Sequence, residues 1–215
     1  MDVTLKINEI FLSIQGESLL VGKPTVFVRT AACNLRCTWC DTKYSFWQGQ
    51  VMSLEDIVSE VKKHDTEYVC LTGGEPLGQK GIYPLMRRLL DEKFIVSLET
   101  NGAFSIKDVP LDVIKVVDVK CPDSGETQSM AWENLDLVRP TDQLKFVVAS
   151  EKDFEWANAL CQDRKLYEKC AVLFSPAYGL VKPADLAKWI LNSKAKVTMQ
   201  TQMHKEIWGA NTRGV

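Results

Sequence analysis

Short runs of β-branched and aromatic residues alternate along the chain with segments in which apolar residues recur at the helical period. Runs of the first kind are typical of buried strands, and segments of the second kind indicate amphipathic helices. The pattern predicts eight strands, over Ile7–Ile14, Thr25–Arg29, Tyr68–Thr72, Phe94–Glu99, Val113–Val119, Leu144–Val148, Ala171–Phe174 and Lys196–Gln200. It also predicts four helices, over Leu54–Lys63, Ile82–Glu92, Lys152–Arg164 and Pro183–Asn192.

Local signals support two of the helix starts. Ser53 and Asp56 have the spacing of a capping box, and Pro183 suits a first helical turn. The alternation of strands with helices favours right-handed βαβ units and a parallel sheet. A closed (β/α)₈ barrel typically needs about 250 residues, whereas this chain has 215. We therefore expect an α/β fold with about six parallel strands in an incomplete, open barrel, formed by one domain over residues 1–215.

Composition narrows the class of protein. Hydrophobic residues make up 46% and charged residues 25% of the chain, which is ordinary for a soluble globular protein. The net charge of −2 gives no electrostatic attraction for nucleic acid, so we expect no such partner. The segment from Met1 to Lys6 does not resemble a secretory signal, and no apolar run is long enough to span a membrane. Seven cysteines, an odd number, argue against a disulfide framework, so we expect a cytoplasmic protein with no membrane partner.

Three cysteines carry the most specific chemical signal. Cys33, Cys37 and Cys40 form a CxxxCxxC run, and three thiolates this close can bind one iron–sulfur cluster. A [4Fe–4S] cluster normally takes four cysteines, so three would leave one iron open for a small molecule. A structural zinc site needs a fourth ligand, and both His64 and His204 are distant in sequence. A thioredoxin-like CxxC would leave Cys33 unexplained.

A glycine-rich turn follows the third predicted strand. Thr72-Gly73-Gly74-Glu75-Pro76 would present free backbone groups to a ligand, and Glu75 could bind an ammonium group. The alternative is a tight turn with no ligand. Parallel strands bring their carboxyl ends to one edge, so we expect this turn, the cysteine run and Thr100-Asn101-Gly102 to converge on one site.

The cysteine spacing followed by Gly-Gly-Glu resembles the signature of radical S-adenosylmethionine (SAM) enzymes. The resemblance implies that Cys33, Cys37 and Cys40 hold a [4Fe–4S] cluster whose open iron is chelated by SAM. It also implies that Gly73, Gly74 and Glu75 bind the amino group of SAM and that Trp39 lies against its adenine. The alternative for Trp39 is simple packing of the cluster loop.

Four segments resemble one member of that superfamily, the 7-carboxy-7-deazaguanine synthase family of 7-deazapurine (queuosine) biosynthesis. They are Ser13-Ile14-Gln15-Gly16-Glu17-Ser18, Phe27-Val28-Arg29, Cys40-Asp41-Thr42 and Gln200-Thr201-Gln202-Met203-His204-Lys205. The resemblance implies a substrate site formed by Ile14, Gln15, Gly16, Arg29, Thr72 and His204, and a magnesium ligand at Thr42. It implies SAM contacts from Trp39, Cys40, Asp41, Gly73, Gly74, Glu75, Asp118, Lys120, Phe174, Ser175, Pro176 and Ala177.

Each of these roles has a structural alternative. Arg29 could bind the substrate carboxylate in a fork, or it could pair with a neighbouring acid. Thr42 could offer its hydroxyl to Mg²⁺ or cap a turn. Glu17 could be a solvated loop acid, and His204, at the end of a predicted strand, could be structural. The Asp118–Lys120 and Phe174–Ala177 segments could be plain turns after strands.

The remaining cysteines suggest no second cluster. Cys70 lies inside a strand pattern and is expected to be a small buried apolar residue. Cys161 and Cys170 have no partner spacing.

The resemblance implies a lyase that converts 6-carboxy-5,6,7,8-tetrahydropterin into 7-carboxy-7-deazaguanine, with radical ring contraction and loss of ammonia. SAM would be recycled, a flavodoxin-like protein would supply the electron, and the chain could form a homodimer. One alternative is a radical SAM activase that generates a glycyl radical on a partner enzyme. It would explain the cysteines but not Gln15, Arg29 and Thr42 together. A second is a non-enzymatic iron–sulfur or zinc protein.

Overall fold

The computed structural model describes residues 3–215, which form a nine-stranded sheet with helices packed against it. The strands are β1 (Thr4–Ile14), β2 (Pro24–Thr30), β3 (Gln50–Ser53), β4 (Tyr68–Gly73), β5 (Ile95–Thr100), β6 (Ile114–Asp118), β7 (Gln143–Val148), β8 (Ala171–Pro176) and β9 (Thr198–Met199). The helices are α1 (Leu54–Val61), α2 (Ile82–Asp91), α3 (Asn134–Leu137), α4 (Glu151–Asp163), α5 (Pro183–Ser193) and α6 (Met203–Trp208).

The sheet is mostly parallel and open. Its strand order is β3-β1-β2-β4-β5-β6-β7-β8-β9. β2 and β4 to β8 run parallel, β9 adds a short parallel strand, and β1 pairs antiparallel with both β2 and β3. Among residues 3–215, no ladder joins β9 back to β3. The predicted incomplete barrel is confirmed.

Amphipathic helices cover the sheet, as the periodicity predicts. α2 shows the pattern clearly, because its buried residues recur three and four positions apart, at Ile82, Leu85, Met86 and Leu89. α2 contacts β5, α4 contacts β7 and α5 contacts β8. Their apolar faces and the strands form one core.

The helix-start signals are also confirmed. The Ser53 Oγ accepts a hydrogen bond from the Asp56 backbone at 3.1 Å, and Pro183 occupies the first turn of α5. α4 begins in the same way, with the Ser150 hydroxyl accepting from the Asp153 backbone at 3.2 Å.

Three elements were not predicted. β3 is a four-residue strand that forms only by pairing with β1, so its own sequence carries little signal. α3 and α6 are short, at four and six residues. The expectation that His204 lies at a strand end is wrong, because β9 stops at Met199 and His204 lies in α6.

One irregularity in β1 matters for the site. The antiparallel pairing of β1 with β2 shifts by one residue between Ile7 and Glu9, so Asn8 is an extra residue in the ladder. After the shift, Glu9 stands directly opposite Arg29. Residues that stand directly opposite on neighbouring strands project from the same face of the sheet.

All seven cysteines are free thiols. Cys70, Cys161 and Cys170 are buried with the apolar core, which confirms the prediction for Cys70. Within residues 3–215, no helix has both the length and the apolar character needed to cross a membrane.

Candidate active site

A cavity of about 790 Å³ opens where the parallel strands end. The loop after β2, the turn after β4 and the loops after β5 and β6 all reach it, as expected for a site at the carboxyl ends of parallel strands. The predicted site residues that line it are Ile14, Gln15, Gly16, Arg29, Cys33, Cys37, Trp39, Cys40, Asp41, Thr42, Thr72, Gly73, Gly74, Asp118, Lys120, Ala177 and His204.

The three cysteines of the CxxxCxxC run are partly exposed in one loop, residues 33–42, which we call the cluster loop. Neighbouring loops hold it in place. Its Thr38 backbone donates to the Ser124 carbonyl at 3.1 Å, and its Arg36 backbone donates to Glu126 at 2.6 Å. The side chain of Arg36 turns back and donates to the Cys33 carbonyl at 2.8 Å.

The thiols do not converge on a point. Within residues 3–215, no three His, Cys, Asp or Glu side chains are close enough to hold one metal ion. A [4Fe–4S] cluster needs no such convergence, because each cysteine binds a different iron. Burial raises the pKa of the Cys37 thiol to about 11 in the absence of iron, and metal binding deprotonates a coordinating thiol.

The Gly73–Glu75 turn packs directly against the cluster loop. A Cβ at Gly74 would overlap the Ala32 carbonyl, so only glycine fits there. The Glu75 backbone donates to that same carbonyl at 2.8 Å. The close backbone approach at Gly74 is therefore made to the cluster loop, which positions Cys33.

Glu75 is buried and does not line the cavity. Its carboxylate accepts from the Thr100 hydroxyl at 2.8 Å, the Asn101 backbone at 2.6 Å and the Leu77 backbone at 2.9 Å. Burial raises the pKa of Glu75 to about 7, although these three donors act in the opposite direction. In this structure Glu75 joins the ends of β4 and β5, and its contact with SAM stays a prediction.

Two polar atoms near the cysteines have no partner within the described chain. They are the buried Nε1 of Trp39 and Oδ1 of Asp118. The ammonium group of Lys120 lies 4.9 Å from the centre of the Trp39 ring and 2.9 Å from Asp118 Oδ2. Burial lowers the pKa of Lys120, but Asp118 and Cys37 outweigh burial and the net pKa is raised.

One wall of the cavity is polar and is formed by Thr72 of β4, Glu99 of β5 and Gln15, which follows β1. Glu99 accepts from the Thr72 hydroxyl at 3.0 Å and from the Gln15 amide at 3.4 Å. All three line the cavity, and this arrangement presents both hydrogen-bond donors and acceptors to a ligand.

Arg29 pairs with an acid, which is one of the two interpretations that the sequence allowed. Its Nε donates to Glu9 Oε1 at 2.7 Å, and the Tyr44 hydroxyl donates to the same oxygen at 3.0 Å. Within residues 3–215, no side chain or backbone oxygen accepts from the two terminal nitrogens of Arg29. Arg29 lines the cavity, so the pairing with Glu9 leaves its fork free.

Glu17 is a buried ion-pair partner, so the solvated-acid reading was wrong. It pairs with Lys145 of β7 and accepts from the Gln202 amide at 2.8 Å. Burial raises the pKa of Glu17, but Lys145 outweighs it and the net pKa is lowered. For Lys145, burial lowers the pKa while Glu17 and Asp118 raise it, and the net pKa is raised.

The C-terminal segment closes one side of the cavity. The Met203 backbone donates to the Gly16 carbonyl at 3.1 Å, and a Cβ at Gly16 would lie 2.8 Å from the His204 backbone nitrogen. Lys205 pairs with Asp41 at 2.6 Å. Burial lowers the pKa of His204.

Thr42 begins the 3₁₀ turn at Lys43–Phe46 through its backbone only. Its carbonyl accepts from the Ser45 backbone at 2.9 Å, while its hydroxyl makes no capping bond. That hydroxyl lies 3.8 Å from Cys40 Sγ and lines the cavity. The alternative reading, a hydroxyl used to cap the turn, is not observed.

Comparisons with known proteins agree on one family. The Radical SAM superfamily model matches residues 27–115. The 7-carboxy-7-deazaguanine synthase of Koribacter versatilis is 43% identical over 226 residues, covering 98% of this chain and 100% of the relative. The synthase of Chlorobaculum tepidum is 39% identical, covering 100% of this chain and 99% of the relative. This chain belongs to the 7-carboxy-7-deazaguanine synthase family.

Solved structures support the fold of this synthase family. The crystal structure of QueE from Escherichia coli matches with a TM-score of 0.78 at 20% identity, over 94% of this chain and 95% of that one. SuiB of Streptococcus suis matches with a TM-score of 0.59 at 15% identity, over 81% of this chain and 47% of that one.

The radical SAM superfamily uses a [4Fe–4S] cluster and SAM, and the residues of this synthase-family member fit both. Three free thiols line one end of the cavity, and Trp39 and Asp118 each hold an unpartnered buried polar atom beside them. Polar atoms buried without a partner are costly in proteins, so their position indicates a ligand.

Four predicted SAM contacts are not brought to the cavity lining. One is Glu75, described above. The others are Phe174, Ser175 and Pro176, which form the end of β8, and only Ala177 beyond them lines the cavity. Phe174 packs between Phe146 and Phe154 in the core. A contact from this segment through its backbone stays a prediction.

Several residues of the cavity were missed. They are Glu99, Lys145, Gln202 and Lys205, with Glu9 and Tyr44 behind Arg29, whereas Asn101 reaches the cavity as expected. A lysine in the middle of a buried strand is a signal that could have revealed Lys145. Lys115 shows the same signal in β6, yet it pairs with Asp142 outside the cavity, so the pattern alone does not separate the two.

Proposed function

We propose that this chain is a radical SAM lyase that converts 6-carboxy-5,6,7,8-tetrahydropterin into 7-carboxy-7-deazaguanine and ammonia. Substrate and products contain the same atoms in total, so the conversion consumes no net oxidant or reductant. One observation carries the proposal. A single cavity joins three free cysteine thiols to the free fork of Arg29 and the polar wall of Gln15 and Glu99.

The cysteine end of the cavity is the cofactor side. Cys33, Cys37 and Cys40 would hold the [4Fe–4S] cluster, and the cluster with SAM bound would supply one-electron chemistry for hydrogen abstraction. Trp39 offers a ring face for the adenine. Asp118 Oδ1, which has no partner within residues 3–215, would accept a hydrogen bond from a ribose hydroxyl.

The opposite wall is the substrate side. The free terminal nitrogens of Arg29 match a carboxylate in a two-point fork. A pterin ring carries both donors and acceptors on its edge, and Gln15, Thr72 and Glu99 offer complementary groups. His204 closes this side against Gly16 and excludes water from the substrate.

Thr42 is proposed as a magnesium ligand. Its hydroxyl is not used to cap the turn and faces the cavity that Arg29 also lines. Mg²⁺ retains several waters and uses few protein ligands, so one hydroxyl and the substrate carboxylate would suffice. Bound there, the ion would fix the carboxylate and stabilise developing charge.

The decisive experiment follows one hydrogen. Protein reconstituted anaerobically is given SAM, dithionite and carboxypterin deuterated at C6, and the label is traced by mass spectrometry. The lyase passes deuterium to 5′-deoxyadenosine and back into SAM, because a recycled cofactor returns the hydrogen that it took. Arg29→Ala should lower turnover strongly and leave the cluster spectrum intact. Unlabelled SAM and 5′-deoxyadenosine with unchanged pterin would overturn the proposal.

The same experiment tests the activase alternative. An activase would cleave SAM irreversibly and leave its product on a partner enzyme. It has no need of Arg29, whose fork is free, or of the polar wall at Gln15 and Glu99. The synthase therefore accounts for more of the cavity.

Three further proposals concern the setting of the enzyme. The cluster must be reduced before the first turnover, and a flavodoxin-like protein is the proposed reductant. The seven free cysteines support a reducing compartment, the cytoplasm. A homodimer, with residues 1–215 acting as one domain, is supported by the edge of β1 beyond Ile7, where Leu12 is 42% exposed. Reduction of the cluster by a flavodoxin-like protein tests the proposed reductant, and sedimentation of the purified protein tests the homodimer.

A further inference from the structure

The extra residue in β1 gives Arg29 its acidic neighbour. Without the shift at Asn8, the ladder would place Asn8 opposite Arg29, and Glu9 would project from the other face of the sheet. With the shift, Glu9 and Arg29 share the face that leads to the cavity. Bulges commonly redirect side chains beside active sites.

The contacts around Arg29 fix its orientation from three sides. Glu9 accepts from Nε at 2.7 Å, and the guanidinium carbon lies 5.7 Å from the Phe11 ring centre and 6.0 Å from that of Tyr44. The Tyr44 hydroxyl donates to Glu9 at 3.0 Å, so it fixes the acid as well. The guanidinium of Arg213 lies 3.8 Å from the centre of the Tyr44 ring.

Glu9 does not line the cavity, so it makes no direct contact with a ligand there, and any effect it has on the orientation of the ligand passes through Arg29. By taking Nε, it leaves the two terminal nitrogens, which form the end of the fork, for the ligand. An arginine free of such contacts would lose side-chain rotamer freedom on binding. Fixing the fork in advance removes that cost.

We propose that Glu9 and Tyr44 are positioning residues that hold Arg29 ready for the substrate carboxylate. The inference rests on the proposed function, because it takes the carboxylate of the pterin as the group that Arg29 binds. It assigns selectivity for the carboxylated pterin to residues outside the cavity. The bulge at Asn8 is the backbone feature that makes this possible.

The test must keep the charge constant. Glu9 also repels a nearby carboxylate, so removing its charge would mix a gain in attraction with a loss of orientation. Glu9→Asp keeps the charge and shortens the side chain by one methylene. Tyr44→Phe keeps the ring and removes only the hydroxyl that fixes Glu9. Matched controls are Glu55→Asp on the exposed face of α1 and Tyr167→Phe beside Lys196.

Comparing two ligands distinguishes a positioning role of Glu9 and Tyr44 from a general weakening of ligand binding. Calorimetry is done anaerobically on cluster-loaded protein with SAM and no reductant, using the carboxypterin and the tetrahydropterin that lacks the carboxylate. Glu9→Asp should raise the dissociation constant of the carboxypterin about tenfold and leave that of tetrahydropterin within about twofold. Tyr44→Phe should have a smaller effect of the same kind. A merely structural role would weaken both ligands alike.

A coupling experiment shows whether the effect passes through Arg29. In an Arg29→Lys background the forked partner is gone, so Glu9→Asp should add less than twofold. The ratio of the two dissociation constants, carboxypterin to tetrahydropterin, measures the preference for the carboxylate. If this ratio is the same in the wild type, in Glu9→Asp and in Tyr44→Phe, the inference is overturned and the proposed function still stands. Failure of the wild type to prefer the carboxypterin would overturn both.

Discussion

The cluster loop and the Gly73–Glu75 turn lie against each other, yet they are built in opposite ways. In the turn, Glu75 is buried and its carboxylate accepts three hydrogen bonds from the chain itself. In the cluster loop, three thiols face the cavity, and the Trp39 Nε1 beside them has no partner among the described residues. The turn is complete in the protein alone, whereas the loop is complete only with a ligand.

This difference shows that two neighbouring motifs of one sequence signature can have separate roles, one in supporting the structure and one in binding the cofactor. The turn supports the loop through the close packing of Gly74 on Ala32. Changes in the turn should therefore reduce stability first, and changes in the loop should reduce cofactor binding first. Four predictions test this division.

The largest expected effect is in the loop. Cys37→Ala should abolish the [4Fe–4S] cluster and all turnover, because the cluster loses one of its three protein ligands. The free energy of unfolding of the cluster-free chain should change by less than about 1 kcal/mol, since Cys37 is partly exposed. Visible absorbance and iron content measure the first effect, and urea unfolding measures the second. Cys161→Ala, in the core, should keep the cluster; iron retained in Cys37→Ala would refute the ligand assignment.

The second prediction concerns pH and the turn. The pKa of Glu75 is raised by burial from 4.5 to about 7 in the folded chain, so the folded state binds more protons than the unfolded state between these values. Glu75 therefore contributes stability below pH 4.5 that is lost as the pH rises through 7, roughly 3 kcal/mol in all. Urea unfolding of wild type and Glu75→Gln across this range isolates the contribution. A constant difference between the two would contradict it.

The third prediction is the cost of Glu75→Gln itself. Either orientation of the amide sets its NH₂ group against a backbone N–H, of Leu77 or of Asn101. At pH 5 the substitution should cost about 2 kcal/mol of unfolding free energy. Glu60→Gln, at a partly exposed position in α1, is the matched control and should cost much less. Equal stability of the two variants would contradict this structural role of Glu75.

The smallest effect is expected at the end of the cluster loop. Thr42→Val keeps the shape of the side chain and removes the hydroxyl. SAM cleavage should persist, while product formation should fall severalfold and lose part of its response to Mg²⁺. A magnesium titration of the product rate measures this. An unchanged titration would remove Thr42 as a ligand.

The sequence was sufficient for the architecture because each parallel strand has a local apolar pattern and each long helix has its period. The sequence also predicted that the cysteine run and the Gly73–Gly74 turn lie at the same edge of the sheet, because parallel strands bring their carboxyl ends together. It did not reveal β3, which forms only through long-range pairing with β1.

The site was less predictable where burial depends on distant partners. Glu17 looked solvated because its partner Lys145 lies 128 positions away. The structural role of Glu75 was not predicted, because its three donors come from neighbouring backbone and from β5, which a motif does not show. Glu9 could not be connected to Arg29 without knowing of the extra residue at Asn8.

The packing of the C-terminal segment on Gly16 has a consequence for how the enzyme is made. The Gln200 side chain exchanges two hydrogen bonds with the Ser18 backbone, across 182 positions of sequence. A nascent chain on the ribosome therefore carries the whole cluster loop long before α6 can close the cavity beside Gly16. Because Met203 and His204 pack against Gly16, the cavity is more open on that side in any chain whose C-terminal segment has not yet docked.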